Sequence, residues 1–265
     1  MTRRVMGDVA LKAEGLSKSY GPIDALVEVD LTVRYGELTA IVGDNGAGKT
    51  TLMKILAGAL RRDRGRIELA GREVDFHTPL QARAGGIETV YQELALCENL
   101  DAVENIFLGR ELYRYLLGIP APPLRVLDGG RMRRMAEAEI KRLDVKIPRL
   151  SVPVGSMSGG QRQAVAIARA AYWASDVLLM DEPTAALGVA ESRAVLELVS
   201  KVLDDGMAVV MVSHIMPHVI ELAHSVVVLR HGHKVAELPA HGLTTQDLVT
   251  LIVGESSNAM TGLRA

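Results

Sequence analysis

The hydrophobic and polar positions of this chain follow two recurring patterns. Alternation over residues 10–20 and 25–34 predicts two early strands, each with one buried face, joined by the turn-forming "YGPID". Short uninterrupted apolar runs elsewhere predict buried strands. These runs are "ELTAIVG" (37–43), "DVLLM" (176–180) and "MAVVMVS" (207–213), with short strands also predicted at "GRIELAG" (65–71) and "VDFH" (74–77) and a closing hairpin at "SVVVLRHGHKVAEL" (225–238).

Apolar residues at helical spacing occupy the segments between these strands. One such run begins at Lys49 and ends near Gly58, and two longer runs cover residues 159–174 and 189–206. Strands that alternate with helices are typical of a mostly parallel sheet covered on both faces. The pattern therefore predicts an α/β fold.

The middle of the chain has a different pattern. Between about residues 98 and 160 the strand signals fade, and helical patterns cover residues 101–111 and 131–145. A connector rich in Pro and Gly, "LLGIPAPPLRVLDGG" (116–130), separates these two helices. We therefore expect a helical subdomain inserted into a sheet domain, and a flexible tail over residues 255–265.

Composition narrows the class of protein. The 265 residues are 48% hydrophobic and 23% charged, which is ordinary for a globular chain with a sizeable core. The net charge of −2 gives no general attraction to nucleic acid. Neither a signal peptide nor an uncharged run of about 18 residues is present, so the sequence predicts neither secretion nor a membrane span. The single cysteine, Cys97, cannot form an internal disulfide, as suits a reducing compartment.

The stretch "GDNGAGKT" fits the phosphate-binding pattern G-x-x-x-x-G-K-S/T between a predicted strand and a predicted helix. Glycines let backbone N–H groups point at phosphate oxygens, and the helix N-terminus adds a positive field. Lysine reaches the β and γ phosphates, and the threonine hydroxyl ligates Mg²⁺. The alternative is a glycine-rich turn without a ligand. The candidate ATP-binding residues are Gly43, Asp44, Asn45, Gly46, Ala47, Gly48, Lys49, Thr50 and Thr51.

Two acids, Asp181 and Glu182, end the apolar run "VLLM". Open parallel sheets bind ligands at the carboxyl ends of their strands. There one acid can hold Mg²⁺ through water, and its neighbour can deprotonate an attacking water. Alone, the pair reads equally well as a loop opening before Pro183.

The stretch "MSGGQRQ" places Ser158 and two glycines before a helical run. This predicts a second helix N-terminus with free backbone donors, and hence a second phosphate-binding site. Because the glycine-rich loop already serves one nucleotide, a second such site suggests that a second chain is involved. A capped helix after a flexible joint is the structural alternative.

Taken together, "GDNGAGKT", "VYQE", "MSGGQ", "VLLMDEPT" and "VSH", in this order, resemble the nucleotide-binding subunit of an ATP-binding cassette (ABC) transporter. The resemblance covers residues 8–254 as a single ABC ATPase domain. It implies a P-loop NTPase (RecA-like) core with a mostly parallel sheet and an N-terminal antiparallel β subdomain. It also implies a helical subdomain over about residues 93–160, inserted in the P-loop core.

The resemblance also implies roles for individual residues. Tyr20 would stack on adenine, and Lys49 and Thr50 would hold phosphates and Mg²⁺. Gln92 would sense the metal and the attacking water, while Asp181 would hold Mg²⁺ through water. Without the family, Tyr20 reads as an aromatic packed at a strand end and Gln92 as a solvated loop residue.

Further roles concern the reaction and the second subunit. Glu182 would be the general base and His214 would contact the γ-phosphate, although His214 alone also reads as a structural histidine. The signature residues would complete the ATP site of the other subunit, so that two ATP are sandwiched head to tail. The signature consists of Ser158, Gly159, Gly160 and Gln161.

Residues 78–111 are similar to the corresponding region of ATPases that drive monosaccharide import in bacteria, of the ribose, xylose and fructose type. This implies coupling of MgATP hydrolysis to sugar import, with a second ATPase subunit in a homodimer. The implied partners are permease membrane subunits, pressing on residues from Gln92 through about Arg110, and indirectly a sugar-binding protein. The implied location is peripheral, at the cytoplasmic face of the inner membrane. Nucleic acid is not among the expected partners.

Two positions depart from the family pattern. Met157 replaces the usual leucine with little change in volume. Gly188 stands where an aspartate usually reaches the P-loop of the partner, which puts communication between the two sites in doubt. Away from these motifs, "HGH" (231–233) lacks a third metal ligand at a helpful spacing and is interpreted as a hairpin turn.

Three rival functions remain at the level of sequence. A soluble ABC-type ATPase acting on nucleic acid or the ribosome usually brings coiled-coil insertions or a second cassette, and neither long heptads nor a repeat occurs in the sequence. A transporter ATPase for a non-sugar substrate is the second. A module that binds ATP without hydrolysing it is the third, and the intact acid pair argues against it.

Overall fold

The computed structural model describes residues 5–115, 125–147 and 149–254. The expected tail, and residues 116–124 of the expected connector, lie outside these residues. The described residues form two compact units. The first contains the described residues up to Gln92, Ala174–Ala185 and those from Leu203 onward, and the second contains those of Glu93–Trp173 and Ala186–Val202. The helical subdomain expected over about residues 93–160 differs in its bounds from this second unit.

A six-stranded sheet forms the centre of the first unit. All its neighbouring strands run parallel except the two that come last in the chain, which form an antiparallel hairpin at one edge, as the sequence predicts. In spatial order the strands are β12 (His233–Pro239), β11 (Ser225–Arg230), β3 (Leu38–Val42), β10 (Ala208–Val212), β9 (Val177–Asp181) and β6 (Ile87–Val90). Every residue of β3 and β10 is buried, as their mostly apolar runs predict for strands covered on both faces.

A four-stranded antiparallel sheet belongs to the same unit. Its order is β2 (Ile23–Arg34), β1 (Val9–Tyr20), β4 (Arg64–Leu69) and β5 (Arg72–Val74). The alternating residues of β1 and β2 bury one face each, including Leu11, Leu16 and Leu31. The predicted strand "VDFH" reaches only Val74. The chain then turns into a helix whose N-cap is Thr78, and this turn cuts the strand short.

The helices of the first unit are α1 (Lys49–Leu56), α2 (Pro79–Gly85), α7 (Met216–Leu222) and α8 (Thr245–Val253). Leu52, Met53 and Leu56 of α1 pack into a core shared with the two sheets. The sequence pattern predicts α1 but misses the other three, which have seven to nine residues each and short periodic signals. No helix in the described part of the chain has the length and apolar character needed to span a bilayer.

The second unit is mainly helical. Its helices are α3 (Ala102–Phe107), α4 (Gly129–Arg142), α5 (Gly159–Trp173) and α6 (Val189–Asp204), the last of which ends just beyond the unit. Phe107 packs against Tyr172 and Trp173 with ring centroids 5.5 and 5.6 Å apart. The unit also contains a hairpin of β7 (Tyr113–Tyr115) and β8 (Arg125–Leu127). The sequence pattern does not predict this hairpin, because strands of three residues are too short to show alternation.

Candidate functional site

Four neighbouring parallel strands of the first unit deliver their carboxyl ends to one edge of the sheet. The glycine-rich loop follows β3, His214 follows β10, Asp181 ends β9, and Gln92 lies just after β6. Pairing of Val212 with Asp181 sets the ends of β10 and β9 level. The structure thus brings together residues that the sequence predicted separately from four segments, at the edge where open parallel sheets bind ligands.

The loop between β3 and α1 requires glycine for two different reasons. At Gly43 and Gly48 a Cβ would lie 2.2 Å from the Leu229 carbonyl oxygen and 2.5 Å from the Ala25 carbonyl oxygen, so packing excludes a side chain. Gly46 instead has a φ of 79° with open space around its Cβ position. Gly48, the N-cap of α1, receives no side-chain cap, so this helix begins with backbone donors open to an anion.

Lys49 is buried, and its ammonium group is held inside the loop. Its Nζ donates to the Gly43 carbonyl oxygen at 2.8 Å and to the Asp44 carbonyl oxygen at 2.9 Å. Burial lowers the pKa of Lys49, while the carboxylates of Glu182, Asp44 and Asp181 act in the opposite direction. A polyanion at this loop would therefore meet a cation that is already positioned and poorly hydrated.

The acid pair and the histidine form the second part of the site. Glu182 Oε1 lies 2.8 Å from His214 Nε2, and the Glu182 side chain is 20% exposed. The Glu182 backbone N–H donates to the Val212 carbonyl oxygen at 2.9 Å. Glu182 itself has a φ of 51°, a left-handed conformation that is rare outside glycine. Such backbone strain concentrates at functional sites, where the surrounding structure holds it in place.

Asp181 is a half-buried carboxylate. Burial raises its pKa, and the neighbouring Glu182 carboxylate raises it further, whereas Lys49 opposes the change. No group of three His, Cys, Asp or Glu residues able to hold a metal occurs among the described residues. His231 and Gly232 form the turn between β11 and β12, and His233 begins β12. One carboxylate with the Thr50 hydroxyl fits Mg²⁺, which proteins bind through one or two carboxylates together with substrate phosphates.

Tyr20 and Gln92 are both available to a ligand. Tyr20 ends β1, and its side chain is 48% exposed, so it is not the packed strand-end aromatic that the structural alternative requires. Gln92 is exposed immediately after β6. Only the family resemblance points to Gln92, because the sequence pattern does not predict β6.

The signature residues lie in the second unit, at the start of α5. Ser158 Oγ accepts from the Gln161 backbone N–H at 3.3 Å, and Gln161 Oε1 accepts from the Ser158 backbone N–H at 2.9 Å. This is a capping box, in which two side chains satisfy each other's backbone donors. The prediction of a bare helix N-terminus is therefore wrong, and the capped helix that was its alternative is present.

Glu191, in the first turn of α6, is a residue that sequence reasoning missed. Its Oε1 accepts from the Gly160 N–H at 3.4 Å and its Oε2 from the Gly188 N–H at 3.3 Å. A hydrogen bond with the Ser158 hydroxyl lowers the pKa of Glu191 most, and these two backbone bonds lower it further. The available signal was its position three residues after Gly188, where an N3 glutamate reaches back to an N-cap.

The family model described as ABC transporter matches residues 26–185, which include the glycine-rich loop, the signature and the acid pair. The chain belongs to the ABC transporter family. This ABC cassette is an ATPase, since ABC ATP-binding proteins hydrolyse ATP to power transport.

Curated relatives of the cassette are import proteins. It is 44% identical over 245 residues to the fructose import ATP-binding protein FrcA of Rhizobium meliloti, covering 92% of this chain and 94% of that one. The xylose/arabinose import ATP-binding protein XylG of Sulfolobus acidocaldarius is 40% identical, with 84% and 85% covered. The ribose import ATP-binding protein RbsA of Yersinia pestis bv. Antiqua is 41% identical over 92% of the cassette, which spans 46% of that longer relative.

Solved structures share the fold. A nucleotide-free ATP-binding cassette from an ABC transporter superposes with a TM-score of 0.75 at 22% identity, covering 94% of this chain and 96% of that one. A dimeric post-hydrolysis state of an ATP-binding cassette bound to ADP and Pi has a TM-score of 0.71 at 26% identity, covering 88% and 100%. The α/β class predicted from the sequence, with its mostly parallel sheet and antiparallel β subdomain, is confirmed.

Proposed function

We propose that this cassette is the ATP-hydrolysing subunit of a sugar importer. Residues 8–254 act as one ABC ATPase domain, and two copies enclose two ATP head to tail. Closure of this dimer on ATP is the power stroke, and hydrolysis resets it. The observation that best supports the proposal is the convergence of loop, base and histidine at the ends of neighbouring parallel strands.

ATP binding rests on the glycine-rich loop and Tyr20. The open N-terminus of α1 and the buried Lys49 ammonium group face the phosphates, and the exposed Tyr20 ring stacks on adenine. Thr50, Gln92 and, through water, Asp181 would hold Mg²⁺, which would supply positive charge to the β and γ phosphates. The remaining loop residues, from Gly43 to Thr51, shape the pocket around them.

Hydrolysis requires a base that takes a proton from the attacking water. Glu182 has this role, because its carboxylate is partly exposed at the strand edge and is held by His214. His214 keeps the carboxylate oriented and contacts the γ-phosphate. Gln92 follows β6, which neighbours β9 on the side opposite to β10 and His214. Its role is to sense the metal and the attacking water.

The second subunit completes each site. Ser158, Gly159, Gly160 and Gln161 of one copy face the ATP held by the loop of the other. A homodimer is proposed because the FrcA and XylG relatives match this chain along most of their own length, and because a cassette of the same fold has a dimeric structure.

Sugar import is proposed from the relatives, which are import proteins for fructose, xylose or arabinose, and ribose. The cassette would then lie peripherally at the cytoplasmic face of the membrane. Its segment from Gln92 through about Arg110 would press on permease subunits, which in turn meet a sugar-binding protein. With a net charge of −2, the chain has no general attraction to nucleic acid, and none is proposed as a partner.

Reconstitution tests this function. The cassette is purified from membrane extracts with the membrane subunits that accompany it, placed in proteoliposomes and assayed for phosphate release with fructose, xylose or ribose and the matching binding protein. We expect one sugar to stimulate hydrolysis and to be taken up. Lys49→Ala serves as the inactive control. Hydrolysis that no sugar stimulates, in a preparation that retains RNA or DNA, would contradict sugar import.

A further inference from the structure

The starting observation is that the signature donors are already occupied within the chain. Glu191 accepts hydrogen bonds from the Ser158 hydroxyl and from the Gly160 backbone N–H. A Cβ on Gly160 would lie 2.9 Å from the Glu191 Cβ, so the glycine at this position makes room for the glutamate. A carboxylate with two oxygens and a negative charge thus stands at the N-terminus of α5, where a phosphate group would be bound.

The same carboxylate also holds the loop that follows the catalytic base. Its second oxygen accepts from the Gly188 N–H at 3.3 Å. Gly188 has no side chain to make a contact of its own, and the nearest atom to a Cβ built there is Glu191 Oε2 at 3.9 Å. One glutamate therefore joins the signature to the position where the family's aspartate is missing.

We propose that Glu191 is a positioning residue that competes with ATP for the signature and connects it to the loop containing Gly188. The proposal rests on the ATP sandwich of the proposed function. The γ-phosphate of ATP held by the partner subunit takes over the hydrogen bonds from Ser158 and Gly160. Glu191 then leaves these donors, and its bond to Gly188 is released or rearranged with it.

The surroundings of Glu191 allow such a movement. Glu191 lines a cavity of about 250 Å³ together with Ser158, Gly160 and Gln161. The same cavity is lined by two cations, Lys146 and Lys201, and by two further carboxylates, Asp144 and Glu197. Lys201 pairs with Asp144 at 2.9 Å, so a displaced Glu191 carboxylate enters a space with charged side chains of both signs rather than an apolar core.

Competition is tested by ATP-driven dimerisation. The full-length Glu182→Gln chain is the reference, and the ATP concentration for half-maximal dimer is measured by analytical ultracentrifugation. Adding Glu191→Gln should lower this concentration about three- to tenfold, because a charged competitor for two donors becomes a weaker neutral one. A residue with only a structural role would leave the value unchanged or raise it.

The matched control is Glu197→Gln in the same reference chain. Glu197 is on the same helix and lines the same cavity, but its 61% exposed side chain pairs with Arg193. Glu197→Gln therefore removes the same charge and leaves the hydrogen bonds of Glu191 to Ser158 and Gly160 in place. We expect no change for this control, and thermal unfolding of each variant checks folding. An equal decrease in both variants, or none in Glu191→Gln, overturns the proposal. Failure of the reference itself to dimerise overturns the ATP sandwich and this inference with it.

The connection to Gly188 has its own readout. In the otherwise native chain, Glu191→Ala should lower the Hill coefficient of ATP hydrolysis toward unity, whereas Glu197→Ala should leave it unchanged. A Hill coefficient retained in Glu191→Ala would show that Glu191 does not connect the two sites.

Discussion

Glu182→Gln tests the catalytic assignment most directly, because it removes one charge and little else. Glutamine keeps the side-chain shape and one oxygen that can still accept from His214 Nε2, 2.8 Å away in the native structure. The backbone bond to the Val212 carbonyl oxygen and the left-handed conformation do not depend on the side-chain charge. The fold and the glycine-rich loop should therefore be unchanged.

The expected loss of turnover follows from the role of a general base, which contributes on the order of 10²–10⁴-fold. This corresponds to about 3–5 kcal/mol of transition-state stabilisation. ATP affinity should not fall. The Glu182 carboxylate raises the pKa of Asp181, so its removal favours the ionised Asp181 that would hold Mg²⁺ through water.

Two measurements on the same preparation separate these effects. Phosphate release gives turnover, and equilibrium dialysis with labelled ATP gives affinity. Glu237→Gln is the control, because Glu237 lies on the edge strand β12 and pairs with Lys234. Turnover reduced less than about tenfold would refute the role of Glu182 as the base. Loss of ATP binding together with turnover would instead assign Glu182 a binding role.

Three other substitutions test neighbouring parts of the site. Lys49→Ala should weaken ATP binding about 10- to 100-fold in the dialysis assay, since a charge-assisted contact to phosphate is lost, and unchanged affinity would contradict that contact. Gly48→Ala should lower the free energy of unfolding by about 2–4 kcal/mol in urea titrations, because the new Cβ meets the Ala25 carbonyl oxygen and φ is 104°. The raised pKa of Asp181 means that the folded chain binds this proton more tightly than the unfolded chain, so its ionisation costs stability as the pH rises. Without Mg²⁺ and nucleotide, Asp181→Asn should therefore raise the melting temperature at neutral pH but not in acid. With Mg²⁺ and ATP added, the same substitution should abolish phosphate release.

The central sheet was predictable because its signals are local. The mostly apolar strands β3, β9 and β10 are each followed by or end in a recognisable motif, so the sequence alone places their carboxyl ends at one edge. Which strand neighbours which was not predictable, since pairing depends on residues far apart. The short elements α2, α7, β7 and β8 carry too few periodic positions to be detected.

The site followed the same division. Residues inside contiguous motifs, such as Lys49 and Asp181, could be named from sequence. Contacts between residues far apart in the sequence could not be predicted. One example is Arg169, which donates to the carbonyl oxygens of Leu94 and Ala95, 75 and 74 residues away. These bonds hold two residues that have positive φ. The hydrogen bonds of Glu191 to the signature could not be predicted for the same reason, although the spacing between Glu191 and Gly188 is visible in the sequence.

The capping box at the start of α5 affects how genetic variants of the signature can be read. Without any nucleotide, Ser158 and Gln161 already cap their own helix through two hydrogen bonds. Replacing a serine N-cap by alanine costs about 1 kcal/mol of stability. An inactive Ser158→Ala allele would therefore mix a loosened helix with a lost ligand contact. Ser158→Asn keeps a neutral capping oxygen but removes the hydroxyl, so the pair of alleles separates folding defects from recognition defects in any screen of this motif.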